Sequence, residues 1–578
     1  MYTIIKRIKF NKKHIIQLIV FMMIAAVAEM ILPTSLAYMI DNGISKQSKS
    51  IILIVALVML VMTVVSGLAN IFVTKLSANI STKFSADLRH EIFYQVQSFS
   101  ESEMDKFGTA SLVTRSTSDV ISLQMFFTML LRIGIVAPLM AISGMVLSSI
   151  TGGKVSSVLN ISIPVLIIST GIILFIASKF SLKLRSKVDQ INKLFLETLE
   201  GVRVIRAFNK QEHEMKRFED ANEDYSKTAI ISSRITGMLM PIIQIIFGLT
   251  TAAVMGLGAM YVSNGEMDIG VLVANSQYIS MILVSIVLLA IVIVMFPNAY
   301  ACAKRISEIL ETKNSIKDGK LKVEDKKLSG TVEFQNVTFT YPGAEEPVIE
   351  GVNFITRPGE ITAIIGRTGC GKSSILKLIP RLYDVTVGHI FVNGIDIKKY
   401  NLKELRSMIG YVPQKNVLFS GNIATNLNFG NENGEEKDWE HATRVACAKE
   451  FIEKKENTFY SEISQGGTNL SGGQRQRMAI ARAIMKKPEI YLFDDSFSAL
   501  DMKTDRELRK NLKESLGNST VIIVAQRISS IIDADRILVI EDGKIIGNGK
   551  HKDLLKTCQI YREIAILQLG EEAVNNEN

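Results

Sequence analysis

Three short stretches concentrate the residues that could do chemistry. Gly366-Arg-Thr-Gly-Cys-Gly-Lys-Ser373 fits the pattern G-x-x-x-x-G-K-[ST], in which glycines free backbone N–H groups to face phosphate oxygens. Ile490-Tyr-Leu-Phe-Asp-Asp495 is an apolar run ending in two carboxylates, and Leu470-Ser-Gly-Gly-Gln-Arg-Gln-Arg477 is a glycine-rich helix start just ahead of it. The first stretch follows the β-rich run Ile361–Ile365 and precedes Ser374-Ile-Leu-Lys-Leu, the strand–loop–helix setting that phosphate cradling needs. Lys372 would then reach β- and γ-phosphates, while the Ser373 hydroxyl and the Asp494 carboxylate would hold Mg²⁺. Ser471, with the N–H groups of Gly472, Gly473 and Gln474, makes a second anion site, this one without a lysine. Two phosphate-binding half-sites on one chain make sense if ATP is sandwiched between two such domains.

The carboxylate after Asp494 stands where an attacking water would be oriented or activated. Asp495 is one methylene shorter than Glu, so its oxygens stop roughly 1 Å or more short, a displacement that costs on the order of 10²-fold in rate. That loss falls within the ~10²–10⁴-fold range of general-base contributions.

The elements that must position these residues follow two regimes. Up to about residue 310 the chain is dominated by long uncharged runs; Ile51 to Thr74 alone is 24 residues without a charge. Such a run makes about 36 Å of helix against a ~30 Å hydrocarbon core. Six spanning helices are expected at 15–40, 51–75, 122–150, 155–179, 235–262 and 270–300, with long charged extensions at 76–121 and 180–234. The net charge of +9 falls largely in loops flanking apolar runs, as the positive-inside rule requires, and so does not signal nucleic acid. The N-terminal MYTIIKRIKFNKKH suits either an anionic cytoplasmic leaflet or a stop-anchor, and both put the N-terminus inside. Glu29 and Arg132 are ionisable residues within apolar runs. Glu29 could meet a cationic substrate or make a structural polar contact near Pro33. Residues 311–330 read as a polar linker, and Gly570–Asn578 as a disordered tail. From Thr331, short β-rich runs alternate with helices, which implies an α/β domain with a largely parallel sheet. Cys302, Cys370, Cys447 and Cys558 show no metal or disulfide spacing, which fits a reducing cytosol.

Together these motifs resemble the ABC exporter family over about residues 1–570, in the half-transporter form that fuses one membrane domain to one nucleotide-binding domain. Gly366–Ser373 resembles Walker A, Ile490–Asp494 Walker B and Leu470–Gln474 the ABC signature. The resemblance implies backbone contacts to ATP from Gly366, Thr368, Gly369, Cys370, Gly371, Lys372, Ser373 and Ser374. It implies Tyr341, in Phe339-Thr-Tyr-Pro, as the aromatic that stacks on adenine. Gln414, in Tyr411-Val-Pro-Gln, resembles the glutamine that contacts Mg²⁺ and the membrane domain, and Ser498-Ala-Leu-Asp501 resembles the D-loop. Phe107-Gly108 through Asp119 and Arg206 through Phe218 resemble the two coupling regions. Three positions depart from the pattern: Asp495 replaces the catalytic Glu, Gln526 the switch histidine, and Gln465 an acidic residue ahead of the signature.

Asp495 and Gln526 both act on the ATP of this chain's own Walker A, whereas Ser471–Gln474 serve a partner's ATP and are intact. The pattern therefore resembles the degenerate subunit of heterodimeric bacterial multidrug exporters, whose partner carries Glu and His. The expected organisation is an all-α six-helix transmembrane domain (1–310), a linker (311–330) and an α/β P-loop ATPase domain (331–578). The expected setting is a bacterial plasma membrane with the ATPase domain cytoplasmic, moving small molecules. A slow homodimer and an ATP-gated channel are the competing readings. Only about 14 residues precede the first helix, which argues against a peptide-processing exporter.

Overall fold

The computed structural model describes residues 4, 12–321, 330–572 and 574. Most of the basic N-terminal segment, residues 322–329 of the expected linker and most of the expected tail lie outside them. Contacts divide the chain into two units, Met1–Ser98 with Phe107–Thr312, and Phe99–Lys106 with Lys313–Asn578.

The helices up to Glu311 are α1 (Lys12–Tyr38), α2 (Lys49–Gln97), α3 (Glu101–Phe107), α4 (Thr109–Ser116) and α5 (Ser118–Arg132). They continue as α6 (Val136–Thr151), α7 (Ser156–Ala207), α8 (Gln211–Gly237), α9 (Leu239–Ser263) and α10 (Ile269–Glu311). Among the described residues six helical stretches are long and apolar enough to cross a membrane: 12–44, 49–97, 109–151, 156–207, 211–263 and 269–311. The 52 residues of α7 make about 78 Å of helix, so the charged extensions run far beyond the ~30 Å that a bilayer core requires. The third stretch breaks at Ile133–Ile135. Pro138 accounts for this, because its ring cannot donate to the Gly134 carbonyl four residues back and clashes with it. Polar side chains tie the stretches together. Asp41 Oδ1 accepts from the Gly270 N–H at 2.7 Å, capping α10, and Ser148 donates to the buried Asn275 at 2.6 Å. Glu29 Oε1 accepts from Ser66 Oγ (3.2 Å) and Asn70 Nδ2 (3.4 Å), the structural contact that was one of its two expected roles. Arg132 is exposed at the break.

The second unit is built on a six-stranded sheet in the order β12-β11-β3-β10-β9-β6. Its strands are β3 (Ile361–Gly366), β6 (Ile409–Val412), β9 (Ile490–Asp494), β10 (Thr520–Val524), β11 (Arg536–Glu541) and β12 (Lys544–Gly549). All pair in parallel except β11 with β12. Every residue of β9 and β10 is buried, as expected of parallel strands covered on both faces. A separate antiparallel sheet joins β1 (Val332–Phe339), β2 (Ile349–Thr356), β4 (Val387–Val392) and β5 (Ile395–Asp396) in the order β2-β1-β4-β5. A third, two-stranded ribbon pairs β7 (Gly421–Asn422) with β8 (Glu462–Ile463). The helices are α11 (Lys372–Leu378), α12 (Leu402–Ser407), α13 (Ile423–Asn428), α14 (Glu436–Val445) and α15 (Lys449–Glu453). They end with α16 (Gly472–Met485), α17 (Met502–Ser515), α18 (His551–Thr557) and α19 (Gln559–Leu569).

Two boundaries differ from expectation. Residues 313–321 do not stand apart as a linker. Ile316 is buried, and the Gly319 and Leu321 N–H groups donate to the Tyr400 and Lys399 carbonyls at 3.1 and 3.0 Å. The segment that packs into the second unit from the early chain is 99–106, not 107–119. Gly108, at φ +72°, separates the two by starting α4 afresh.

Candidate functional site

Parallel pairing brings four chain segments to one edge of the main sheet. The loop Gly366–Ser373 leaves the C-terminal end of β3, Asp494 and Asp495 end β9, Gln526 follows β10 and Gln414 follows β6. Ligands of open α/β sheets gather at this edge, beyond the carboxyl ends of the strands.

The loop is shaped by its glycines. Gly369 and Gly371 have φ of +89° and +95°, a conformation that only glycine adopts freely, and a Cβ on Gly366 would meet the Ile540 carbonyl at 2.1 Å. Lys372 is buried and its Nζ donates to the carbonyls of Gly366 (2.9 Å) and Arg367 (2.7 Å), so the ammonium is already drawn over the loop. Ser373 Oγ donates to Asp494 Oδ1 at 2.7 Å, pairing two of the three expected metal ligands. Thr368 is exposed, Ser374 is buried, and the Cys370 thiol is buried at 8% exposure, shielded from solvent rather than presented to it. Tyr341 donates to or accepts from Ser374 Oγ at 2.9 Å and lies edge-on to Tyr383, with centroids 5.2 Å apart.

Asp495 collects two amides. Gln526 Nε2 donates to its Oδ2 at 2.9 Å, and Gln414 Nε2 to the same oxygen at 3.4 Å. Burial raises the Asp495 carboxyl above the usual carboxylate range, with neighbouring Asp494 adding to the effect, against the hydrogen bonds of Gln414 and Ser498. Burial likewise raises Asp494, against the Ser373 hydrogen bond.

Ser471 is the N-cap of α16, which begins at Gly472. Its hydroxyl accepts from the Gln474 N–H (3.2 Å), and Gln474 Oε1 accepts from the Ser471 N–H (3.0 Å), a reciprocal capping box. Ser471 and Gly472 are exposed, and a Cβ at Gly472 would meet open space. Among the described residues no hydrogen bond joins Ser471–Gln474 to the loop Gly366–Ser373. Asp501 caps α17, accepting from the Thr504 N–H and hydroxyl at 3.0 and 2.7 Å. Gln465 sits in a single 3₁₀ turn ahead of the cap.

Several contacts had no motif to mark them. Tyr411 OH donates to Asp494 Oδ2 at 3.5 Å, and Gln476 bridges the Asp495 carbonyl (3.3 Å) and the Ala499 N–H (3.2 Å). Tyr383 OH donates to Asp105 at 2.7 Å, and Lys377 pairs with Glu101 at 3.2 Å, so α3 sits on the helix that follows the phosphate loop. The only available signal was a tyrosine between the charged residues Arg381 and Asp384.

The residues present fit ATP with Mg²⁺. Left-handed glycines open backbone amides, Lys372 is poised over them, and Ser373 and Asp494 converge. Among the described residues no group of three or more His, Cys, Asp or Glu could hold a metal alone, so few protein ligands would share the ion with phosphates.

Comparison with known proteins agrees with this geometry. Residues 15–287 match the family described as ABC transporter transmembrane region, and residues 349–498 the family described as ABC transporter. An uncharacterized ABC transporter ATP-binding protein of Mycobacterium tuberculosis is 35% identical over 568 residues, 97% of each chain. Another, from Bacillus subtilis, is 35% identical over 557 residues, 96% of each. An ATP-dependent lipid A-core flippase of Syntrophus aciditrophicus is 30% identical over 562 residues, 94% of this chain and 91% of that one. The fold matches the structure of a bacterial Atm1-family ABC exporter with ATP bound, at a TM-score of 0.81 and 23% identity, covering 96% of this chain and 97% of that one.

Proposed function

From the premise that this chain belongs to the ABC transporters, as an exporter half-transporter with its transmembrane region and ATPase domain in one polypeptide, we propose that it is the slow-site subunit of a heterodimer. Proteins of this family bind ATP, couple its hydrolysis to transport and work as dimers in a lipid bilayer. The finer reading places the chain in a bacterial plasma membrane with its N-terminus and ATPase domain cytoplasmic. Its cargo is an amphipathic or drug-like small molecule. The apolar, methionine-rich spans support that cargo class, as does the similarity to a lipid A-core flippase.

In this reading Tyr341 stacks on adenine, and the amides of Gly366 and Thr368–Ser374 cradle the phosphates with Lys372. Ser373, Gln414 and Asp494 hold Mg²⁺, which when bound neutralises charge on the β- and γ-phosphates. Asp495 and Gln526 serve the same ATP. The intact cap Ser471–Gln474 and Asp501 face the ATP of the partner, a second half-transporter with Glu and His at the two departing positions.

One observation carries the proposal. The Asp495 carboxylate is short, and its Oδ2 accepts from the Gln526 and Gln414 amides, so the base is a shortened one and a neutral amide stands where an imidazole would work. The exposed, self-capped Ser471–Gly472 supports a site completed from outside this chain. Purified dimers carrying Gly472→Asp or Asp495→Asn decide the matter. Gly472→Asp should abolish most ATPase activity by setting a negative charge beside the partner's γ-phosphate, whereas Asp495→Asn should change it little. If Asp495→Asn is the more damaging, the homodimer reading takes over.

A further inference from the structure

Beyond Val524, the end of β10, the chain leaves the sheet, and its next backbone groups must find partners elsewhere. The Ala525 N–H donates to the Ile364 carbonyl of β3 at 3.1 Å. After that, one side chain meets the segment twice. Gln568 Oε1 accepts from the Ile528 N–H and Gln568 Nε2 donates to the Gln526 carbonyl, both at 2.7 Å. Among the described residues neither backbone group makes another hydrogen bond. A side-chain amide suits this task because it carries an acceptor and a donor on neighbouring atoms.

The last helix holds that amide still. Tyr561, Ala565 and Gln568 follow at spacings of four and three, which sets them on one face of α19. Tyr561 and Ala565 are fully buried, and the Tyr561 hydroxyl hydrogen-bonds His551 Nδ1 at 2.7 Å. Ile564 and Leu569 pack against the core of the second unit as well. What the anchored amide grips is the backbone of Gln526, whose own side chain donates to Asp495 Oδ2 at 2.9 Å. The segment's other side-chain tie runs elsewhere: Arg527 donates to the Ser498 and Leu500 carbonyls, at 3.2 and 3.5 Å, in the loop after β9.

We propose that Gln568 is a positioning residue for ATP hydrolysis at this chain's own Walker A. By fixing the backbone of Gln526 to Ile528 it aims the Gln526 amide at Asp495, and it acts only through Gln526. The inference rests on the assignment of Asp495 and Gln526 to this chain's ATP. It does not need the slow-site reading, since in a homodimer Gln568 would act at both sites.

The test is single-turnover hydrolysis of ATP by the full-length dimer whose partner has its catalytic Glu changed to Gln. Gln568→Leu, close in size but without hydrogen-bonding atoms, should slow the turnover of bound ATP by about tenfold, part of the ~10²-fold that a 1 Å misplacement costs. KM for ATP should stay unchanged. Gln568→Glu keeps the acceptor for the Ile528 N–H and loses the donor, so its rate should fall between. A merely structural role would lower the melting temperature and the number of active molecules, but not the rate constant of those holding ATP. Leu567→Gln, at an 86% exposed neighbouring position, is the control and should change nothing. Hydrogen exchange gives a reading that needs no activity: in Gln568→Leu, peptides covering 526–530 should exchange about tenfold faster while 520–524 stay protected. Repeating the comparison with Asp495→Glu and Gln526→His in place separates the two proposals. The speed of the parent bears on the slow-site reading, and the ratio produced by Gln568→Leu bears on this one. Unchanged exchange, faster exchange with an unchanged single-turnover rate, or an equal effect of Leu567→Gln overturns the proposal.

Discussion

Asp495 occupies the left-handed region at φ +47°, which Asp tolerates several-fold more often than most side chains. Lengthening it to Glu therefore adds reach and some backbone strain together. We expect Asp495→Glu with Gln526→His to raise turnover at this site by about tenfold, bounded by the ~10²-fold that a 1 Å misplacement costs. The measurement is ATP hydrolysis by a dimer whose partner has its catalytic Glu changed to Gln, so that only this site works. No gain would mean that the partner's half of the site is also altered. The pieces of this site were legible in the sequence, because glycine spacing and paired carboxylates mark themselves. The convergence of Gln414 and Gln526 on one Asp495 oxygen was not, since it depends on the order β10-β9-β6. Tyr411 and Gln476 were missed for the same reason.

Among the elements, α3 and the residue before it are held by one carboxylate. Glu103 is buried and accepts from the Ser100 N–H (2.9 Å), the Ser100 hydroxyl and the Ser315 N–H (3.1 Å). Burial works against its ionisation, yet the hydrogen bonds from Ser100 and Ser315 prevail and hold the carboxyl below its ordinary range. A depressed folded value means stability that is present above the ordinary carboxylate pKa and lost as pH falls through the lowered one. Glu103→Ala should destabilise the second unit by about 2–3 kcal/mol, because buried donors lose their acceptor. Glu103→Gln, which keeps an acceptor, should cost less and remove the acid-induced part of the loss. Thermal unfolding of the full chain between neutral and acidic pH reads both; equal melting of the two variants refutes the assignment. The sequence revealed the parallel sheet through its continuous apolar runs, but not the antiparallel one. Strands β1, β2 and β4 pair with irregular register, which blurs the alternation that would announce them. It also set the first coupling region several residues late, at Phe107–Asp119, because the conspicuous Phe107-Gly108 pair marks the start of α4 rather than the docked segment.

At the scale of the whole molecule, six spans and one ATPase domain were visible in the distribution of charge. The proposed partner is testable at this scale. Expressed in cells lacking other half-transporters, the chain should purify without appreciable transport-coupled ATPase activity; a robustly active homodimer would defeat the division of labour. Ligand linkage gives a second measurement. ATP at ~100 times its dissociation constant stabilises a protein by about 2.7 kcal/mol, and Lys372→Ala should erase most of that thermal shift at this chain's own site. Some hydrolysis should survive in the assembled dimer, which draws on the partner's lysine. The division of the chain at 98/99, 106/107 and 312/313 has a consequence for its birth. Residues 99–106 leave the ribosome roughly two hundred residues before the surface that receives them, a wait on the order of ten to forty seconds at ordinary rates of synthesis. During that interval Glu103 and Asp105 have no Ser315 or Tyr383 to meet, and the hydrogen bonds that hold their segment wait on the second unit's synthesis.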